Sequence, residues 1–504
     1  MKLKVFALLL AILTVLPLVI ACAETAPGDE VTTEDLAETT PSPDNTNEEP
    51  VETILQSATL PDNLNFGGET IYFLSRDSVF VDDEVSVQDQ NGAQVNDAIY
   101  NRNKRVEQLL GIKIDDRKIT GDNYVVSTEL RNAAKNGEAN FDIAANSTYS
   151  TIMYTAENIL VDLTECEYLD LDAIYWSQGF NEQASFGEAQ YLCTGAMAIS
   201  LFRYMFVTFY NKQLVENTEY EDLYGIVDSG KWTLDYQIKL AKDLYKDNGD
   251  GNVTEDDTFG FSTSTVLYVD PYWSSCDVTI LKKNADNIPE YALDIEKVTS
   301  VFGKVIELYH RSNSWMDNSS GDDGKQNALS SIFSSGRAAT TTMRLVSVET
   351  NDFLNMEAEY GIIPVPKYDD AQEKYYTYLH DQFTSFGITS VVSRDEERVQ
   401  MLGAVLEALA LYSYRDVVPT YYELALKGRY LEDSESWRML DMIYENVRID
   451  AGVLYTKQLD SIHQVPRDPV KNGASSLTAL FKAKEVVVRR KLDALVDGIT
   501  KLES

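Results

Sequence analysis

After residue 66 the hydrophobic positions fall into two alternating periods. Glu69-Thr70-Ile71-Tyr72-Phe73-Leu74 reads as a strand. From Gln94 to Leu110 the apolar residues Val95, Ala98, Ile99, Val106, Leu109 and Leu110 recur at helical spacing, and Gly111 is the stop. Ile112-Lys113-Ile114 is a second strand, Tyr124 to Asn136 a second helix ended by Gly137, and Phe141-Asp142-Ile143-Ala144-Ala145 a third strand. A polar turn, Asn146-Ser147-Thr148-Tyr149, follows it. Strands separated by helices imply parallel pairing with crossover helices, so an α/β fold is expected.

The second half of the chain changes in detail. Tyr204 to Tyr210 is an apolar, aromatic strand, and Trp232 to Lys246 and Ile295 to Arg311 are helices. Gly336 to Thr342 is a small-residue turn into a strand, Tyr360 to Lys367 a strand leaving a lobe, and Val399 to Tyr414 a strongly apolar helix. No internal repeat is visible.

The N-terminus follows another pattern. Lys2 and Lys4 precede a run from Val5 to Ala21 that is apolar apart from Thr14. A basic head, an apolar core and a small residue before a cut make a secretory signal. A spanning helix needs roughly 20 apolar residues, and this run is shorter and holds Pro17. Residues 23–65 are then rich in Thr, Glu, Asp and Pro, with no Lys or Arg between Lys4 and Arg76. Such a stretch buries too little apolar surface to offset its ordering entropy and reads as a disordered acidic spacer.

Composition narrows the function. The formal net charge of -38 over 504 residues argues against nucleic acid, whose phosphates need Lys and Arg, and against a peripheral grip on anionic lipid. With Cys22 set aside, the odd number Cys166, Cys193 and Cys276 reads as buried free thiols rather than a disulfide framework. No Cys/His cluster suggests zinc.

Val19-Ile20-Ala21-Cys22 resembles the lipobox of bacterial lipoproteins, which implies that Cys22 is lipidated and that residues 1–22 are a lipoprotein signal peptide. The body resembles the extracellular solute-binding proteins of ABC importers, in the large group that holds sugar binders. The resemblance rests on Asn91-Gly92, Asn96-Asp97-Ala98-Ile99-Tyr100, Phe141-Asp142-Ile143, Phe209-Tyr210-Asn211-Lys212, Asp256 to Phe261, Phe333 to Ala339 and Pro364-Val365-Pro366-Lys367-Tyr368. It implies a two-lobed periplasmic-binding-protein-like fold of type II, with the cleft between lobes. One lobe would hold 66–195 plus 380–415 and the other 205–365 plus 420–504, with crossings near 195–205, 366–382 and 415–422. It also implies a monomer that carries its solute to an ABC transporter permease at the extracellular face of the cytoplasmic membrane, held there by lipid.

Open α/β sheets bind ligands at the carboxyl ends of their strands, and a cleft between lobes collects those ends. This selects Asn146, Ser147 and Tyr149 in the first lobe, Arg203 and Tyr204 at the first crossing, and Arg344 in the second lobe. Asp270-Pro271-Tyr272-Trp273 resembles the aromatic-bearing stretch that stacks on sugar in relatives, making Tyr272 and Trp273 candidate ring contacts. An abundance of tyrosine points to a neutral saccharide longer than one ring. Lys246 to Asp257 is similar to a calcium loop, with Asn248, Asp250 and Asp257 on ligand positions. Lys246 stands where an oxygen ligand belongs, so an Asx-rich turn is the competing reading, and no other cofactor is expected. No G-x-S-x-G, H-E-x-x-H or Walker loop supports catalysis, and a non-enzyme is expected. A tethered carbohydrate-active enzyme, or a sensor lipoprotein with a degenerate cleft, is the alternative.

Overall fold

The first sheet is built from strands whose order along the chain differs from their order in space. In the computed structural model, which describes residues 57–502 apart from 79, 80, 82, 318–326, 432 and 475, β1 (Glu69–Asp77) lies between β2 (Ile112–Thr120) and β3 (Ile143–Ser147), parallel to both. The crossover helices are Gln94–Leu110 and Val125–Asn136. Each ends on a glycine in the left-handed region, Gly111 (φ 61°) and Gly137 (φ 70°), whose N–H closes on a carbonyl of the last turn. The strand expected at 141–145 begins two residues later, because Asp142 turns its carboxylate to the Tyr72 N–H and to Arg398.

The second sheet has the order β8-β4-β7-β5-β6, from β4 (Phe206–Asn211), β5 (Phe259–Ser264), β6 (Trp315–Asp317), β7 (Ala338–Arg344) and β8 (Tyr360–Ile363). β4 runs antiparallel to both β7 and β8. The chain then returns to the first sheet, where β9 (Thr384–Ile388) pairs antiparallel with β3. Helix Glu396–Tyr412 packs on that sheet and is apolar on nearly all sides, as a helix enclosed by its own lobe must be. Past it, Ser413–Val417 and Thr420–Tyr430 wind as π-helix, and helix Ser434–Glu445 lies on β8 of the second sheet, where Ser436 Oγ accepts the Ile362 N–H at 3.1 Å.

The polypeptide therefore passes between the sheets three times, around 199–206, 364–384 and 413–434. The C-terminal helix Leu477–Thr500 follows helix Ile295–His310 and also reaches the Ile152–Glu157 turn of the first lobe. One hydrophobic cluster runs from one lobe into the other, through Phe186 against Tyr455 (5.1 Å between ring centres) and Phe202, at the first crossing, against Tyr421 (5.9 Å). The lobes are closed on each other.

Two boundaries differ from the sequence reading. Residues 57–65, assigned to the spacer, are docked: Ser57 Oγ donates to Glu407 at 2.7 Å, Thr59 Oγ1 to the Tyr168 carbonyl at 2.7 Å, and Leu60 and Leu64 pack on the first core. Tyr204 is not in a strand; it ends the short helix Ser200–Arg203. Cys166, Cys193 and Cys276 are buried free thiols. Cys22 and the apolar run before it lie outside the described residues.

A charged seam between the lobes as candidate functional site

Most strand ends selected from the sequence do meet at the interface of the lobes. Arg344, the last residue of β7, is fully buried there. Its guanidinium lies 5.0 Å from the centre of the Tyr204 ring, and its Nη1 is 3.4 Å from His380 Nδ1. His380 Nε2 faces the Asp381 carboxylate at 3.7 Å. The His380 N–H donates to the Tyr204 carbonyl at 3.1 Å and the Tyr149 N–H to the Asp381 carbonyl at 2.8 Å, so the second crossing is fastened to the first crossing and to the first lobe. Arg76, at the end of β1, donates from Nη2 to the Gln382 carbonyl at 2.5 Å.

A second network adjoins it. Asp270, fully buried, accepts Arg467 Nε at 2.9 Å and a shorter bond from Arg467 Nη2, with His463 Nε2 at 3.7 Å. Burial alone would raise the Asp270 carboxyl, but Arg467 and His463 outweigh it and hold it below the usual carboxylate range. Burial holds His463 below its ordinary value, against the pull of Asp270. Arg203 spans from the first crossing to Glu349, with Nε at 2.9 Å and Nη2 at 3.0 Å, and Tyr421 donates to the same carboxylate at 2.8 Å.

Around these charges, polar atoms at the carboxyl ends of strands are buried without a hydrogen-bond partner among the described residues. They are Ser147 Oγ at the end of β3, Thr265 Oγ1 past β5, Ser347 Oγ past β7 and the Tyr378 hydroxyl, and Gln458 Oε1, from the segment after helix Ala451–Leu454, is partnerless as well. Buried polar atoms are nearly always satisfied, so a cluster of exceptions at one place is a chemical signal.

Other sequence-selected residues are placed differently. Asn146 is fully buried inside the first lobe, its amide nitrogen among Asn123 O, Ser127 Oγ and Ser150 Oγ. Tyr149 does face the seam: it packs on Tyr124 at 6.1 Å, and Lys457, from the segment after helix Ser434–Glu445, lies 4.9 Å over its ring. Tyr272 packs near Tyr309 in the second lobe, 6.5 Å between centres. Trp273 is 1% exposed; its ring packs on Phe302 and Phe481, and Nε1 donates to the His463 carbonyl at 2.9 Å. It is a core residue that supports the His463 segment and presents no face to the seam. The residues of the 246–257 loop are turned inward on their own backbone. Asp257 accepts the Asn248 and Thr254 N–H groups and the Tyr245 hydroxyl, Asn248 accepts Asp250 N, and Asp250 accepts Asn252 N. Among the described residues no group of three His, Cys, Asp or Glu side chains could hold a metal ion. Asp270, His380, Asp381, His463 and Arg467 were not selected from the sequence. The signal available was scarcity, since two of the chain's three histidines, His380 and His463, sit in this seam.

Solved structures that share this fold include solute-binding proteins of ABC transporters. A solute-binding protein from Thermotoga lettingae, bound with α-D-tagatose, aligns over 84% of this chain and 100% of its own with a TM-score of 0.54 and 14% identity. A family 1 extracellular solute-binding protein from Bifidobacterium longum subsp. infantis aligns over 85% and 100%, with a TM-score of 0.54 and 14% identity. The maltose-binding periplasmic protein of Listeria monocytogenes, in complex with maltose, aligns over 84% and 98%, with a TM-score of 0.53 and 13% identity. No protein-family model and no curated protein sequence matches the chain. The likeness is therefore one of fold. No helix among the described residues is long and apolar enough to cross a membrane.

Proposed function

We propose that this chain is an extracellular solute-binding lipoprotein that takes an oligosaccharide between its lobes and delivers it to an ABC transporter permease. The observation that carries this is the cluster of partnerless polar atoms at the strand ends of both lobes, set beside the Arg344–His380–Asp381 and Asp270–Arg467 networks. Buried hydroxyls and an amide oxygen without partners are what a polyhydroxylated ligand would satisfy. The sugar-bound proteins of the same fold support the ligand class. Because the seam is closed, solute would enter when the lobes part about the three crossings and would hold them together once bound. The moving bodies are 66–195 with 380–415 and 205–365 with 420–504, and the closed form is what the permease recognises. Lipid on Cys22 and the acidic segment behind it would keep the body at the outer face of the membrane as a monomer. The hydroxyl–imidazole pair of the seam, Thr456 Oγ1 at 2.6 Å from His463 Nδ1, is fully buried, which suits a structural part beside Asp270.

A thermal-shift screen against mono- and oligosaccharides tests this. A true ligand at 100 times its dissociation constant adds about 2.7 kcal/mol of stability. A panel without any stabilising sugar, or a sugar returned cleaved, would sink the proposal.

A further inference from the structure

We propose that the flank of the interlobe seam carries a second saccharide subsite, built on Tyr444 and Tyr414, which takes the outer rings of a neutral oligosaccharide. This rests on the solute-binding reading above and adds a place that reading does not assign. The subsite is a groove of about 290 Å³ whose one wall is the first-lobe stretch Ile174–Gly179 and whose other wall is Tyr414, Tyr444 and Glu445. Past Gly179, Val447 and Ile449 it continues into a polar stretch of about 430 Å³ bordered by Glu182, Lys282 and Arg448. The two stretches lie in the size range of small-molecule sites.

The chemistry of the walls selects the ligand. The aromatic stretch offers flat apolar surface, and its rings are fixed in advance. Tyr444, 45% exposed, lies parallel on Phe202 at 4.9 Å and 20°, so only its remaining surface is free to line the groove. Trp176, 3% exposed, is a core ring that backs this wall, pinned by its Nε1 to Glu407 at 3.3 Å and by Gly195, where a β-carbon would come within 2.8 Å of the Trp176 backbone. Rings held this way give contact area at low entropic cost. Aliphatic partners alone would satisfy such a surface, but the groove also holds both signs of charge. Glu182, Glu445 and Asp450 stand with Lys282, Lys283 and Arg448, an even balance that favours neither an anion nor a cation. Apolar faces alternating with hydrogen-bonding edges match the C–H faces and hydroxyls of a sugar chain. Ile174–Gly179 belongs to the first lobe and Tyr444 and Glu445 to the second, with Tyr414 at the third crossing, so a glycan lying here bridges the lobes and its occupancy is tied to the angle of closure.

The test uses the full chain in mild detergent and isothermal titration with a malto-oligosaccharide and a cello-oligosaccharide series of one to six rings. Tyr444→Ala removes a half-exposed ring. Gly179→Trp fills the groove from a site where an added β-carbon meets nothing within 4 Å. In the unaltered chain, affinity is expected to rise with glycan length. Both variants should lose that rise, by roughly 3- to 10-fold, the range that one aromatic contact represents, with binding of the shortest ligand unchanged; Tyr444→Phe should keep it. Length-dependent affinity that survives Gly179→Trp and Tyr444→Ala would overturn the subsite and leave the solute-binding reading standing. An unaltered chain that binds no glycan of either series would overturn both.

Discussion

Trp273→Ala should damage folding and not recognition. The side chain is 1% exposed, with Phe302 at 5.2 Å and Phe481 at 6.0 Å between ring centres, so its removal empties a space enclosed by helices Ile295–His310 and Leu477–Thr500. Truncating a buried aromatic to alanine costs roughly 3–5 kcal/mol. The substitution also leaves the His463 carbonyl without the indole donor at 2.9 Å, adding about 1–3 kcal/mol where that group stays dry. Against a total stability of about 5–15 kcal/mol, this is a large share. Trp273→Phe keeps most of the packing and should lose only the hydrogen-bond part. Urea denaturation followed by circular dichroism measures both, and glycan titration of the folded fraction measures binding separately. A Trp273→Ala loss below about 1 kcal/mol, with glycan affinity falling instead, would refute the placement of this ring in the core and return it to the binding surface.

Asp270→Asn strands Arg467 in a buried site and should cost about 3–5 kcal/mol, read by the same denaturation. Because Asp270 is held below the usual range, the stability it contributes is complete above about pH 4 and is lost as pH falls toward the folded-state value, so the gap between the two proteins should narrow between pH 7 and pH 3. Calcium and chelator should leave the melting temperature unchanged, since Asp257 is committed to its own turn; a calcium-dependent rise that Asp257→Asn abolishes would contradict this. Cys22→Ser should release the protein from the membrane fraction or leave its signal uncleaved, and unchanged retention with normal cleavage would count against lipidation.

Local structure was largely legible in the chain. Gln94 to Leu110 is a helix within the limits that its apolar spacing and Gly111 set, because both signals act over a single turn. Burial partners were not legible. Trp273 meets Phe481 and His463 across some 190 to 208 positions of sequence, and nothing near Asp270-Pro271-Tyr272 tells a ring facing a cleft from one facing a helix. The docking of Ser57 on Glu407 was invisible for the same reason: a Thr-, Glu- and Pro-rich segment reads as solvated until its distant acceptor is known. Arg344 was placed at the seam because strand ends collect at an α/β interface by topology and Arg203 because it sits at a crossing, whereas His463 and Arg467 arrive on short late helices with no such rule. The calcium-like spacing was ambiguous in the sequence because Asx side chains serve equally well to cap their own backbone, as Asn248 and Asp250 do.

The distance between lobes with and without glycan tests the central claim most directly. Spin labels at Lys135→Cys in the first lobe and Glu296→Cys in the second are exposed, while Cys166, Cys193 and Cys276 are buried and unreactive. Burial pushes the Cys166 thiol up to about 12. A saccharide that raises the melting temperature should narrow a broad distance distribution to the single closed separation. A distribution that no saccharide in the panel alters would contradict capture of a sugar between the lobes.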